Sequence, residues 1–335
     1  MALRFVDGVS YYDTASLRAG HRFGIANGSY LTVETSGGPF GDSFIRNSYQ
    51  GHCIAAIGGT QNELIVMCRY KTAYAFDNSY VLRVYGSSNY ELLIIDMNGV
   101  LTIYGWGGTY LATANQGLIG DVWQQIEFKF KLAAAPDGYI HLKVDTVDYI
   151  PYTTGLDTMG SSDAASVVYF FGSGRCDMTH FIIMDTTGPV CNDFLGNRRV
   201  QCFMPLSEGY YKQSTPYPSG TRDDAVDEIP PNETDYNELG SAGLKDTFNL
   251  NGDAAAAVTS IDAVVCTMYC KTDDGGAAML KGFARSAGDD GEGTEVAAPS
   301  SYGYIDSYIY VDPDTSAAFD VTAFNAAEFG YKRES

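Results

Sequence analysis

The stretch Trp123-Gln-Gln-Ile-Glu-Phe-Lys-Phe-Lys-Leu132 decides the fold class. Ile126, Phe128, Phe130 and Leu132 alternate with Gln125, Glu127, Lys129 and Lys131. Side chains along a strand point to opposite faces, so this pattern predicts a half-buried antiparallel strand with Glu127 on its solvent face. Pro136-Asp-Gly138 follows as a turn signal. Ile140, Leu142 and Val144 then alternate with His141 and Lys143 on the way back, and the two runs predict a hairpin.

The same signal recurs outward from this hairpin. Short strand candidates lie at 30–34, 52–57, 63–70, 80–85, 90–95, 100–104, 167–171 and 178–184. Asn98-Gly99 is a two-residue turn signal between Leu92–Met97 and Val100–Tyr104. The composition agrees, with 25 Tyr and 17 Phe suited to strands and 37 Gly suited to tight turns. Many short strands with Gly-rich turns predict an all-β sandwich or jelly roll over residues 1–188.

Asp185–Pro205 reads as a joint, because Gly188, Pro189, Asn192, Asp193, Gly196 and Asn197 are turn formers between two apolar runs. Cys191 and Cys202 flank it, and Arg198 and Arg199 bring positive charge. It is expected to fix two domains relative to each other or to dock a neighbour. A second, smaller β-sandwich is expected over 189–335, with strands at 261–270, 277–285 and 302–311. Asp273-Asp-Gly-Gly276 is read as a hairpin loop and Asp289-Asp-Gly-Glu-Gly293 as a turn before the last strand. The polar stretch 207–250 is expected to lie extended across a surface or a neighbouring subunit. A short terminal helix is capped by Asp320, has Val321, Phe324 and Ala327 on one face, and ends at Gly330.

The formal charge is −20, with 24 acidic and 10 basic residues in 191–335. Such acidity disfavours phosphate backbones and anionic membranes, so neither nucleic acid nor membrane is an expected partner. The opening Met1-Ala-Leu-Arg-Phe-Val-Asp-Gly lacks the apolar core of a secretory signal, and runs such as Leu92–Ile95 and Ala254–Val258 are too short to span a bilayer. Synthesis in a cytosol is expected. Seven cysteines show no zinc spacing. Cys266 and Cys270, on one strand, would stand about 13 Å apart, too far for a mutual disulfide. Cys191, Cys202, Cys266 and Cys270 are therefore candidates for packed thiols or for crosslinks between subunits.

Several segments resemble tailed-bacteriophage virion proteins with a concanavalin A-like, laminin G-like jelly roll. Met1–Leu17 resembles their opening. Trp123-Gln-Gln-Ile-Glu127 resembles their W-x-x-I-E strand. Asn192-Asp-Phe-Leu-Gly-Asn-Arg-Arg-Val200 is similar to their N-x-F-L-G-D-x-R-V joint, with Asn197 in the place of Asp. Asp312-Pro-Asp-Thr315, Phe319 and Asn325–Gly330 resemble their C-terminal ending. The resemblance implies a non-enzymatic structural component of tail, fibre or head decoration, assembled from copies of itself, as a trimer, and from other virion proteins. It places the chain in the virion.

Two other functions compete. A receptor- or glycan-binding module on the virion would use Tyr104, Trp106 and Tyr110, which stand among glycines and offer a stacking platform. A polysaccharide hydrolase ranks last, since no strand carries the E-x-D-x-x-E carboxylates that retaining β-glucanases of this fold need. The sequence offers no catalytic residue set and no cofactor motif. Calcium is the one ion considered, at Asp223, Asp224, Asp227 and Glu228 or at Asp289, Asp290 and Glu292, although neither group has EF-hand spacing. His21, His52, His141 and His180 are scattered and read as surface or packing residues.

Overall fold

A computed structural model describes residues 3–19, 22–73, 79–86, 91–97, 99–159, 164–171, 174–188, 190–254, 258–273 and 277–335. His21, Asn98, Pro189, Ala255–Ala257 and Asp274–Gly276 lie outside the described residues, and with them parts of the expected turns at 98–99 and 273–276. The chain forms two compact units, Met1–Val200 and Gln201–Ser335. It is all-β, with short helices only.

In the first unit the strands are β1 (Leu3–Asp7), β2 (Gly24–Ala26), β3 (Leu31–Glu34), β4 (Phe44–Asn47), β5 (His52–Gln61), β6 (Glu63–Thr72), β7 (Ser79–Gly86) and β8 (Glu91–Met97). They continue as β9 (Leu101–Gly105), β10 (Tyr110–Thr113), β11 (Gln124–Lys131), β12 (Gly138–Val144), β13 (Val147–Leu156), β14 (Ala165–Phe171) and β15 (Cys176–Asp185). A helix not expected from the sequence, α1 (Thr14–Ala19), follows β1.

One sheet runs β13-β12-β11-β6-β15-β4-β3, with β1 also on β15. The other runs β10-β9-β8-β7-β14-β5-β2. This is a jelly-roll sandwich. Its core takes Val66, Cys68, Phe128, Phe130 and Ile140 from the first sheet and Cys53, Ala55, Ile103, Val168 and Phe170 from the second. Phe170 and Phe181 meet across the layers with ring centroids 4.6 Å apart. Fully burying a phenylalanine contributes about 2–3 kcal/mol, so the alternating positions of β11 and β12 supply much of the cohesion.

The hairpin expectation holds in register: Phe128 faces Leu142 on β12 and Val66 on β6. The outer face of β11 differs from expectation. Gln125 and Glu127 are buried as deeply as the apolar positions beside them. Later chain covers that face, which local periodicity does not record.

In the second unit the strands are β16 (Pro205–Lys212), β17 (Thr215–Tyr217), β18 (Tyr236–Glu238), β19 (Lys245–Leu250), β20 (Val264–Cys270), β21 (Met279–Ser286), β22 (Asp289–Ala297), β23 (Gly303–Ile309) and β24 (Glu328–Arg333). Helix α2 (Val321–Ala326) precedes β24. A five-stranded sheet, β16-β19-β24-β21-β22, accompanies the pairs β17-β18 and β20-β23. Ala284, Ile309, Phe319, Phe324 and Phe329 form the core, with Val264 and Cys266 packed against it.

Three local expectations change here. The stretch 207–250 contains most of β16 and all of β17–β19, so it is folded into sheets. Asp289–Gly293 begins strand β22, the turn falling at Ala287-Gly288, which both have positive φ. Gly330 lies in β24, not at the helix end. The cap is as expected: the Asp320 carboxylate accepts from the Ala323 N–H at 2.7 Å.

Candidate functional site

Residues 193–200 cross the outer face of the first sheet as a strap. The Glu127 carboxylate Oε1 accepts from the backbone N–H of Leu195 at 2.7 Å and of Gly196 at 3.3 Å. Gln125 accepts from the Arg198 N–H at 3.3 Å and donates to the Gly196 carbonyl. The Arg69 guanidinium donates to the Asn197 side chain and to the Arg198 carbonyl. Lys129 pairs with Asp193 at 3.1 Å. Phe194 lies edge-on to His141 at 4.7 Å and under the Lys143 ammonium at 4.6 Å. His180 Nδ1 accepts from the Val200 N–H at 3.0 Å, so its proton sits on Nε2, which faces Asp42 at 2.8 Å. Gly196 turns the strap at φ +67, a left-handed conformation in which a glycine has no Cβ penalty.

This cover shifts the ionisable groups beneath it. Burial raises the Glu127 pKa, against the opposing pull of the Leu195 and Gly196 N–H groups. Burial lowers that of Arg69, against Asp145, Asp42 and Glu127. Burial acts to raise Asp42, but the hydrogen bond it accepts from His180, with backbone N–H donors of Asp42 and Phe40, outweighs this and holds it below the usual carboxylate range.

Beyond the strap the same sheet opens into a polar cleft of about 270 Å³, lined by Arg46, Lys71, Ala73, Asp121, Arg175, Cys176 and Asp177. Asp177 is buried and holds two cations, Arg46 Nε and Lys71 Nζ, each at 3.0 Å. Glu34 takes Arg46 from the other side at 3.4 Å. Arg175 is exposed and has no ion-pair partner among the described residues. The lining thus carries three cations against two carboxylates, in a chain of net charge −20. Aromatic rings back it: the Lys71 ammonium stands 5.3 Å from the Trp123 ring and 5.8 Å from Phe44. The two rings meet edge-on at 5.5 Å, and the Trp123 indole donates to the Gly37 carbonyl.

A second ionisable group lies at the β12–β13 edge, where His141 Nε2 meets Asp148 Oδ1 at 2.7 Å. Tyr152 lies edge-on to this imidazole, and the Tyr139 hydroxyl donates to Glu63.

The strap lies within the 185–205 joint that the sequence marked for fixing domains or docking a neighbour, but neither the cleft nor the His141–Asp148 pair was read as a site, because charged residues at outward strand positions ordinarily mark a solvated face. The residues named for glycan contact, crosslinking or calcium lie elsewhere. Tyr104, Trp106 and Tyr110 stand on the second sheet at the β9–β10 turn. Trp106 is 42% and Tyr110 61% exposed, with Tyr104 and Tyr110 ring centroids 6.5 Å apart. Cys191, Cys202, Cys266 and Cys270 are half-buried. Burial pushes Cys266 and Cys270 up to about 12. Of the two acidic groups considered for calcium, Asp290 binds Tyr211, Lys245 and Arg285, and Glu292 binds Lys281 and Lys332. Among the described residues no cluster of His, Cys, Asp or Glu could hold a metal ion. No described helix is long and apolar enough to cross a membrane.

No protein-family model matches the sequence, and no curated protein matches it. Solved structures do. The endo-β-1,4-glucuronan lyase of the fungus Trichoderma reesei is 9% identical, over 54% of this chain and 95% of its own, with a TM-score of 0.42. The PL-14 alginate lyase of Aplysia kurodai is 11% identical, over 55% and 99%, with a TM-score of 0.43. The catalytic domain of a family 131 glycoside hydrolase from Coprinopsis cinerea is 12% identical, over 59% and 99%, with a TM-score of 0.36.

At these identities the likeness is one of fold. The expectation of a non-enzymatic structural virion component is not met in these comparisons: the chains reported are named as lyases and a glycoside hydrolase, not as virion proteins. That expectation rested in part on missing paired carboxylates. Such a pair serves most glycoside hydrolysis, and its absence does not by itself exclude other chemistry.

Proposed function

We propose that the first unit is a carbohydrate-active domain that recognises an anionic saccharide, one bearing a carboxylate or a sulfate ester. The observation that carries this reading is the cleft of Arg46, Lys71 and Arg175 beside Trp123. Arg46 and Lys71 already share Asp177, while Arg175 is the cation left to meet a ligand. A guanidinium presents a planar donor fork that matches a carboxylate. Asp121 and Asp177 supply acceptors for sugar hydroxyls. The volume lies just below the lower bound of about 300 Å³ for drug-sized ligand pockets, which suits one sugar unit of a longer chain.

Titration calorimetry with galacturonate oligosaccharides tests this. At about 0.15 M salt the Debye length is about 8 Å, so repulsion from the rest of the acidic chain is screened. The acidic oligosaccharide is expected to bind and its neutral counterpart not to. Arg175→Ala removes a charge-assisted contact worth about 1.5–3 kcal/mol and should weaken binding by roughly 10- to 150-fold. Equal binding of neutral and acidic saccharides, or none of either, overturns the reading.

A further inference from the structure

The strap leaves the groove beneath it imperfectly matched. Arg69 and Glu127 are 7% and 1% exposed, yet Arg69 Nε and Glu127 Oε2 have no hydrogen-bond partner among the described residues. Buried polar atoms are nearly always paired, and each unpaired one is costly. The groove floor therefore offers more donors and acceptors than residues 193–200 use. What the strap does offer is a carboxylate on Lys129 from Asp193, an amide on Arg69 from Asn197, backbone polar groups on Gln125 and Glu127, and a flat ring against Lys143 and His141 from Phe194. That series of a carboxylate, hydrogen-bonding groups and a flat face is also what an acidic sugar chain presents. The floor has three cations, Arg69, Lys129 and Lys143, with Glu127 among them, while Asp42 and Asp145 act on Arg69 and Asp148 meets Lys143 at 3.8 Å.

We propose that residues 193–200 are a displaceable internal occupant of an anionic-saccharide groove, and that a chain binding along this sheet competes with the strap for Arg69, Gln125, Lys129 and Lys143. This rests on the reading of the adjoining cleft as an anionic-saccharide site, and it adds a groove held closed by the protein itself. The groove is then a cryptic extension of the cleft, and affinity for a long saccharide is reduced by the fraction of molecules in which the strap is seated.

The test has two arms. In the wild-type protein, hydrogen exchange of the Leu195, Gly196, Arg198 and Val200 amides is followed with and without a galacturonate oligosaccharide. Each of these amides donates to the floor, so exchange is expected to accelerate on binding. Unchanged or slowed exchange overturns the proposal. In the second arm the strap is loosened by Gly196→Val with Asn197→Ala, which strains the left-handed turn and removes the Arg69 contact. Affinity should rise roughly tenfold.

Asp193→Ala, which breaks the Lys129 ion pair and the bond from the Phe194 N–H at the exposed end of the strap, is a milder variant outside the core, and a rise of about twofold is expected. Protease cleavage within 193–200 without any gain in affinity overturns the proposal. Binding by the loosened variant alone keeps the strap and rejects the open cleft. Binding by neither rejects both.

Discussion

The Glu127 carboxylate accepts the backbone N–H of Leu195 at 2.7 Å across 68 residues of chain, and it does so from a strand position that alternation assigns to solvent. One side chain thereby ties the end of the first unit to the middle of its sheet. Replacing it by alanine leaves the Leu195 and Gly196 amides without their acceptor and removes a negative neighbour of Arg69. Glu127→Ala is expected to destabilise the first unit by about 2–4 kcal/mol. Glu127→Gln keeps an acceptor oxygen and should cost about 1 kcal/mol. Both tryptophans, Trp106 and Trp123, lie in this unit, so urea unfolding followed by tryptophan fluorescence reads it. Equal midpoints for the alanine variant and the wild type would show that the strap is not held there.

The same carboxylate sets a pH dependence. Its folded pKa is raised above the unfolded value near 4.5, with burial as the main cause. A raised folded pKa means that the native state holds the proton more tightly than the unfolded chain. The resulting stabilisation is full below about pH 4.5 and is lost as pH rises through the folded value. Glu127→Gln cannot ionise. Its stability relative to the wild type should therefore improve as pH rises from about 4.5 toward neutrality, and a constant difference across that window would exclude the effect.

Alternation made the sandwich legible because a strand buried on one face repeats with period two whatever lies far away. It named Phe128, Phe130, Ile140 and Leu142 as core, and each is fully buried. It misplaced Glu127 and Gln125 because their cover comes from residues 195–198, and contact at that separation leaves no local trace. It missed β22 because Asp289-Asp-Gly-Glu-Gly293 has turn composition, while Asp290 and Glu292 are held there by Arg285, Lys245, Lys281 and Lys332 from β19, β21 and β24. The cleft was illegible for a similar reason: Arg46, Lys71 and Asp177 come from β4, β6 and β15, which only the sheet order makes neighbours.

Asp7 shows how a fully buried charge is held near the entry of the chain. It accepts from the Val9 N–H at 2.7 Å and from the Tyr11 and Tyr12 hydroxyls at 2.9 and 2.6 Å, and it pairs with Arg22 at 3.0 Å. Asp7→Asn leaves the Arg22 cation buried without its counter-charge and should cost about 3–5 kcal/mol. Asp7→Asn combined with Arg22→Met removes both charges, and part of that loss should return. Additive effects of the two changes in a double-mutant cycle would mean that the pair is not coupled.

Gly330 carries the sharpest steric constraint on the second unit. It sits in β24 opposite Thr247 of β19 and Phe283 of β21. A Cβ there would stand 2.0 Å from the Asp246 carbonyl oxygen and 3.0 Å from the Thr247 Cα. Both are backbone atoms of the paired strand, so no rotamer change can relieve the clash. The β19–β24 ladder would have to part, at the centre of the five-stranded sheet. Gly330→Ala is expected to cost about 3 kcal/mol, the upper end of the usual overpacking range. Asp320→Ala, which removes only the cap of α2, should cost about 1 kcal/mol. Near-ultraviolet circular dichroism of the tyrosines, followed through urea unfolding, should rank the glycine variant well below the cap variant. If alanine is tolerated at 330 as well as at 320, the strand pairing described for β24 is wrong, because no backbone in that register leaves room for a methyl group.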